Sequence, residues 1–157
     1  MKKITTYLTT LILLSLATLI AGAQTRTDCD KVRGTGNTFA TGPATFQGTA
    51  TVNIGGQEYT ATVTTNLLGP PKVTDDGTLL AHTSHTFVFS DGSTFTTFDN
   101  TVLSPTDAPG VYDLNTRAEI IQGTGGYGGV SGSLSIHGTI SFVSGEVVWR
   151  FTGQICN

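Results

Sequence analysis

The sequence has few charged residues and, after its first segment, no long stretch with helical periodicity. Charged residues make up 12% of the 157 residues, and the only lysine or arginine between Arg33 and Arg117 is Lys72. Residues 24–157 contain six basic and eleven acidic side chains, a net charge of −5. Nucleic acids and anionic membrane surfaces bind proteins through basic patches. The composition therefore argues against both as partners.

Cysteine is also scarce, and its placement is informative. Cys29 and Cys156 lie near the two ends of residues 24–157. Neither has the second cysteine two residues away, or the histidine cluster, that a redox or metal-binding thiol needs. An even pair of cysteines in an oxidising compartment forms a disulfide by default. We therefore predict a Cys29–Cys156 disulfide that holds the terminal segments side by side, and we expect no metal and no cofactor.

Residues 1–23 have the pattern of a secretory signal peptide. Two lysines follow the first methionine, residues 8–20 are apolar, and Ala21-Gly22-Ala23 matches the small-x-small cleavage pattern. Threonines interrupt the apolar stretch, and it is shorter than the roughly 20 residues that a membrane-spanning helix needs. We therefore predict a secreted or periplasmic protein with one domain, residues 24–157.

The composition of this domain favours strands. Thr, Gly, Val, Ser and Phe dominate, and apolar and polar residues alternate between turn signals. The pattern predicts about eight strands, near residues 30–35, 45–54, 57–67, 79–90, 93–103, 111–122, 131–142 and 145–155. Short connections and tethered ends predict a single antiparallel barrel, with a two-sheet β-sandwich as the alternative. The cysteine pair, the polar C-terminus and the lack of an aromatic girdle argue against a membrane-inserted barrel.

Two-residue turn signals predict three hairpins. Folding about Gly55-Gly56 and about Ser144-Gly145 gives continuous apolar faces, which pair Val52 with Tyr59 and Ile140 with Trp149. We therefore predict that Trp149 is buried. The third turn, Asp91-Gly92, gives mixed faces, with Phe87 and Phe89 opposite threonines and Val88 opposite Phe95. A bulge near Thr96-Thr97, or a strand covered on both sides, would explain the mismatch.

Residues Gly123 to Gly132 form the run G-T-G-G-Y-G-G-V-S-G. A phosphate-binding loop is followed by a helix, whereas residues 133–137 alternate like a strand, so the run predicts a tight backbone passage where no Cβ fits. The run resembles the G-x-G-x-Y-x-G-x-x-G signature of the allene oxide cyclase-like barrels, a group that dirigent proteins also resemble in architecture. The resemblance implies a barrel whose cavity holds a small apolar molecule and steers its cyclisation by shape.

Three residues are the candidate ligand site: His85, Phe98 and Asp99. His85 shares a strand face with phenylalanines, and Asp99 lies in an aromatic strand, where a carboxylate is costly unless it is paired or used. The alternative interpretation is structural, with His85 bonded to a threonine and Asp99 shaping a bend. Another polar row, from Asp113 to Glu119, is interpreted as a solvated outer face. No catalytic triad is indicated.

Two functions fit these features. The first is a secreted, non-enzymatic barrel that binds a small apolar ligand. The second is a cyclase or isomerase acting on an apolar substrate in the barrel, which predicts that Asp99, His85 or Glu119 points into a dry cavity. A hollow interior with a convergent polar group would favour such a site, whereas an interior filled by side chains would exclude it.

Overall fold

The protein is an all-β barrel, as seen in a computed structural model that describes residues 28–157. The predicted signal peptide and its cleavage site lie outside the described residues. A single 3₁₀ turn, Gly125–Tyr127, is the helical part of this region. The strands are β1 (Cys29–Gly42), β2 (Thr45–Ile54), β3 (Gln57–Leu67), β4 (Lys72–Val73), β5 (Leu79–Phe89), β6 (Thr94–Pro105), β7 (Val111–Thr124), β8 (Ser131–Ser141) and β9 (Glu146–Cys156).

Eight antiparallel strands close the barrel, and β4 is a short addition at the edge of β5. The order is β3-β2-β1-β9-β8-β7-β6-β5, and a further ladder between β3 and β5 completes the circle. The terminal strands β1 and β9 pair from Cys29–Cys156 to Phe39–Glu146. The predicted barrel is therefore confirmed, and the sandwich alternative is wrong. The Cys29–Cys156 disulfide is confirmed too, with the two Cα atoms 4.0 Å apart.

Strand β1 is longer than the sequence predicts. It extends to Gly42, whereas the alternating pattern ends near residue 35. Gly34 and Gly36 interrupt the expected row of interior side chains because the rings of Phe151 and Trp149, on β9, occupy that space. The interior space beside these two glycines of β1 is thus filled by side chains of the neighbouring strand β9.

The hairpin register is right at one turn and wrong by two residues at another. Val52 pairs with Tyr59, as predicted. In the β8–β9 hairpin, Ile140 pairs with Val147, and Trp149 lies opposite Gly138 rather than Ile140. The connection has four residues, 142–145, instead of two. A shift of two residues keeps every side chain on its predicted face, so Trp149 is buried as expected, at 3% exposure.

The β5–β6 hairpin differs from its predicted register by one residue. Phe87 pairs with Phe95, and their stacked rings are 4.5 Å apart. The backbone N–H of Phe89 donates to the carbonyl oxygen of Ser93 (3.0 Å), so the turn itself has three residues, 90–92, and the predicted mismatch disappears. The irregularity expected near Thr96-Thr97 lies in the ladder with β7, where Ile121 is the extra residue.

The two ends of the barrel are packed differently. The closed end carries the disulfide and the connections at 55–56, 90–93 and 125–130, and its interior is filled by buried aromatic rings, those of Phe87, Phe89, Phe95 and Phe151. The open end carries the connections at 43–44, 68–78, 106–110 and 142–145. All five prolines of the chain lie in or beside the connections of the open end: Pro43, Pro70, Pro71, Pro105 and Pro109. Proline fixes φ, so these connections are conformationally restricted before any ligand binds.

Candidate functional site

A cavity of about 130 Å³ occupies the barrel interior at the open end. Its walls are mostly apolar because small or aliphatic interior side chains replace the aromatic rings of the closed end. The lining includes Phe46, Leu67, Leu79, Ala81, Leu103, Leu114, Ile136, Ile140 and Val147. A dry apolar cavity of about 150 Å³ is enough to bind benzene, so this space suits a molecule of one small ring.

The cavity runs from the surface to the middle of the barrel. Pro43, Pro71 and Phe142 line it and are solvent-exposed, so it reaches the surface between their connections. His85 and Trp149 line its inner part, next to the aromatic packing of the closed end. Trp149 is the only tryptophan in the chain, so its fluorescence reports on the cavity.

His85 and Asp99 form a hydrogen-bonded pair at the inner end of the cavity. Nδ1 of His85 lies 2.5 Å from Oδ2 of Asp99, and the residues are 7% and 0% exposed. They come from neighbouring strands, β5 and β6, at positions where both side chains point inward. Oγ1 of Thr97 accepts a hydrogen bond from the backbone N–H of His85 (3.2 Å) and fixes the strand at this point.

A chain of three threonine hydroxyls leads from Asp99 along the cavity wall. Thr83 donates to Oδ2 of Asp99 (3.1 Å), and the hydroxyl pairs Thr83–Thr101 and Thr101–Thr116 are 3.1 and 2.9 Å apart. Each hydroxyl has one proton. Since Thr83 uses its proton on Asp99, it accepts from Thr101, and Thr101 accepts from Thr116. The bonds therefore all point toward the carboxylate, and the protons of Thr83, Thr101 and Thr116 are all donated within the chain.

Two polar atoms of the pair have no hydrogen-bond partner among the described residues. Oδ1 of Asp99 is buried without a hydrogen-bond partner among the described residues. Nε2 of His85 has no hydrogen bond within residues 28–157 and is not among the fully buried, unpaired atoms. Because Nδ1 faces Asp99 and the ring lines the cavity, Nε2 is the ring atom that is available to a molecule in the cavity. A histidine held in this way accepts or donates a proton at Nε2.

The structure brings together two of the three residues in the predicted site. Phe98 lies on the outer surface, where its ring stacks on His82 with centroids 5.5 Å apart. Successive strand residues point to opposite faces, so Phe98 could not join Asp99 inside the barrel. Glu119 is likewise exposed on the outer face, as is the rest of the polar row on β7. Trp149 and the threonines also line the cavity, and the sequence pattern does not single them out, although they point to the same interior face as His85 and Asp99.

A larger depression on the outer wall has different chemistry. It measures about 810 Å³ and crosses β1, β2, β7, β8 and β9, with mostly polar lining that includes Asn37, Asn115, His137 and Arg150. It is shallow and open to solvent, so a ligand there would stay largely hydrated. Enclosure and a single free ring nitrogen make the inner cavity the better candidate site.

The glycine-rich run closes the opposite end of the barrel. A Cβ on Gly123 would collide with the carbonyl oxygen of Tyr127, and Gly125 has a φ of 60°. The Tyr127 ring packs against Phe89, with centroids 4.7 Å apart. The backbone N–H of Gly126 donates to Oγ of Ser93 (2.9 Å). The tight backbone passage that the sequence predicts is thus confirmed at Gly123 and Gly125, whereas a Cβ on Gly129 would meet no atom within 4 Å. The run covers this end of the barrel as a cap.

Alkaline pH is expected to weaken this cap. Burial, with smaller contributions from Tyr59 and Asp91, raises the pKa of Tyr127 from 10.0 to about 12. The unfolded chain therefore loses this proton first, so stability is intact below about pH 10 and falls as the pH rises towards about 12. Urea denaturation at these pH values should show the decline, and Tyr127→Phe should reduce it. An equal decline in the variant would contradict the assignment.

The described residues contain neither a metal-binding cluster nor a membrane-spanning helix. No three His, Cys, Asp or Glu side chains between residues 28 and 157 lie close enough to hold a metal ion. In the same part of the chain, no helix has the length and apolar character to span a membrane.

Comparison with known proteins identified structural neighbours only. No family model matches the sequence, and no curated protein matches it. Two solved structures, of the pterocarpan synthase dirigent proteins GePTS1 and PsPTS1, are similar to this chain with TM-scores of 0.46 and 0.44. Each is 12% identical over 83% of this chain, and the matches cover 90% and 96% of those chains. The resemblance to allene oxide cyclase-like proteins is not confirmed.

Proposed function

We propose that this protein is an exported barrel that binds a small, largely apolar molecule in its inner cavity. The observation that carries the proposal is the partly enclosed apolar space of about 130 Å³ with one free ring nitrogen, that of His85, at its inner end. Burying an apolar molecule there stabilises the complex by about 25 cal/mol for each Å² of apolar surface that is removed from water. The restricted connections at the open end lower the entropic cost of binding.

Export is supported by the disulfide and by the residues that precede the described region. A disulfide between the chain ends persists in an oxidising compartment. The pattern in residues 1–23 is that of a cleaved signal peptide. We expect the exported protein to begin at Gln24 and to contain no free thiol. N-terminal sequencing and non-reducing peptide mapping check both, and an uncleaved cytoplasmic protein would contradict the proposal.

Toluene is expected to bind saturably and to change the fluorescence of Trp149. It is small enough for the cavity and offers only apolar surface, so it tests the space without testing the histidine. Ala81→Leu should fill part of the cavity and weaken binding. Val102→Leu, on the outer face of β6, is the matched control and should leave binding unchanged. The proposal fails if toluene, up to its solubility limit, changes neither the fluorescence nor the amide NMR shifts of the lining residues.

A cyclase or isomerase acting in the same cavity is the second candidate function. The His85–Asp99 pair favours it over a passive binder. Leaving Oδ1 of Asp99 buried and unpaired costs about 1–3 kcal/mol. A residue selected only for stability would avoid this cost, whereas sites used for chemistry commonly bear it.

A further inference from the structure

We propose that His85 is a general base that removes a proton from a neutral, ring-containing substrate in the cavity, with Asp99 as its positioning residue. This inference rests on the proposed binding function and adds an activity to it. The observation behind it is the orientation of the pair, with Nδ1 held by Asp99 and Nε2 left to the cavity.

The geometry gives the imidazole a defined proton-transfer atom. Asp99 accepts from Nδ1–H at 2.5 Å, which fixes the tautomer whose unprotonated nitrogen is Nε2. The ring is also held by its neighbours, since Trp149 and Phe87 lie 6.0 and 6.4 Å from it between centroids. Asp99 is the titratable side chain that contacts the ring. A base held among apolar side chains is poorly hydrated and therefore more reactive than an imidazole in water.

The same hydrogen bonds define the charge of the substrate. Asp99 lies behind His85 rather than in the cavity wall, and no Lys or Arg lines the cavity. The protons of Thr83 and Thr101 are already donated toward Asp99. A carboxylate ligand would find no cation to pair with, and the hydroxyls of Thr83, Thr101 and Thr116, which line the cavity, have already donated their protons. The cavity therefore favours neutral molecules that offer a hydrogen to Nε2, such as a ring compound with a C–H acidified by a neighbouring carbonyl.

The reaction class is redox-neutral and needs no second reactant. The C–H bond breaks, its proton moves to Nε2, and its electron pair passes into the substrate toward an electronegative atom. When His85 returns the proton to a different carbon, the product is an isomer of the substrate. The class is thus proton-transfer isomerisation, within the broader cyclase or isomerase alternative.

5-Nitrobenzisoxazole is a probe of this chemistry, because any well-placed base opens it. The base removes the ring C–H proton, the electron pair forms the nitrile, and the N–O bond breaks to release a coloured phenolate. We expect saturable turnover by the folded, disulfide-bonded protein. Toluene should inhibit competitively, and benzoate should not.

Variants separate the roles of the two residues. His85→Gln and His85→Ala should lose about 100-fold or more in kcat/KM, the lower range for general base catalysis. Asp99→Asn should lower kcat, alter the pH profile and leave KM near the wild-type value, because it changes the tautomer rather than the cavity. His82→Ala is the matched control: this histidine lies on the same strand but on the outer face, and its loss should leave turnover unchanged.

The outcomes distinguish this inference from the proposed function. If toluene binds but wild type and His85→Gln open the probe at equal rates, His85 is not a base and binding stands. If Asp99→Asn lowers the thermal stability without altering kcat or the pH profile, Asp99 is structural and its positioning role is overturned. If neither toluene nor the probe binds, both proposals fall.

Discussion

Replacing Cys29 and Cys156 with serine is expected to lower the free energy of unfolding by about 5 kcal/mol, since the bond closes a loop with a sequence separation of 127 residues. Much of this effect arises in the unfolded chain, which gains conformational freedom when its ends are released. The loss is comparable with the whole stability of many domains of this size.

The fold itself should survive the double substitution. The two cysteines are ladder partners at the end of the β1–β9 pairing, and ten further pairs continue from them to Phe39 and Glu146. Urea denaturation of the double variant and of reduced wild type should give matching losses. Lys31→Ser, an exposed change on β1, should stay within about 0.5 kcal/mol of wild type. A double variant that is as stable as the oxidised protein would show that the β1–β9 ladder closes the barrel unaided.

The face of the sheet to which each side chain points could be predicted from this sequence better than the register of the strand pairs. The β8–β9 hairpin was predicted two residues out of register, and yet Trp149, Phe151 and Ile140 all lie on their predicted face. Side chains alternate with a period of two, so an error of two residues preserves the faces. An error of one residue, as at Asp91-Gly92, produces mixed faces, and that mismatch was visible in the sequence.

The candidate site could be predicted only in part. The alternation of strand residues predicts that His85 and Asp99 point into the barrel. Asp99 stands out further because burying a carboxylate among aromatic residues is costly. The same alternation excludes Phe98, so that grouping contradicted the alternation on which the strands were predicted. The pairing of His85 with Asp99 depends on the β5–β6 register, which the three-residue turn at 90–92 sets.

The cavity depends on side-chain sizes compared across strands. An eight-stranded barrel is just wide enough for its interior to be filled by side chains. Phenylalanines fill the closed end, whereas Ala81, Thr83, Thr101 and Thr116 occupy interior positions at the open end. Small residues on separate strands indicate a cavity only when the strand pairing is known to bring them face to face.

Trp149 is expected to be the most costly single side chain to truncate. Its ring lies within 6.1 Å of the Phe87 and Phe151 centroids, and it is 3% exposed. Trp149→Ala should lower the free energy of unfolding by about 3–5 kcal/mol and enlarge the ligand cavity that the ring lines. Val148→Ala, at the exposed neighbouring position, is the control and should change stability by about 0.5 kcal/mol or less.

The Trp149 ring also explains why position 36 is occupied by glycine, and a double-mutant cycle tests that explanation. A Cβ on Gly36 would lie 2.6 Å from Cη2 of Trp149, and its three nearest atoms all belong to that indole. Gly36→Ala should therefore cost about 1–3 kcal/mol in the wild type through overpacking. In the Trp149→Ala background the space is empty, so the cost should vanish and the two substitutions should be far from additive.

Gly34 provides the matched comparison, because its obstruction does not come from Trp149. A Cβ there would collide with the backbone carbonyl oxygen of Thr51 and lie 2.6 Å from the Phe151 ring. Gly34→Ala should thus be destabilising to the same extent with or without Trp149. Urea denaturation of the wild type and the five variants gives both coupling energies. Equal costs of Gly36→Ala in the two backgrounds would mean that the backbone of β1, rather than the indole, requires glycine at that position.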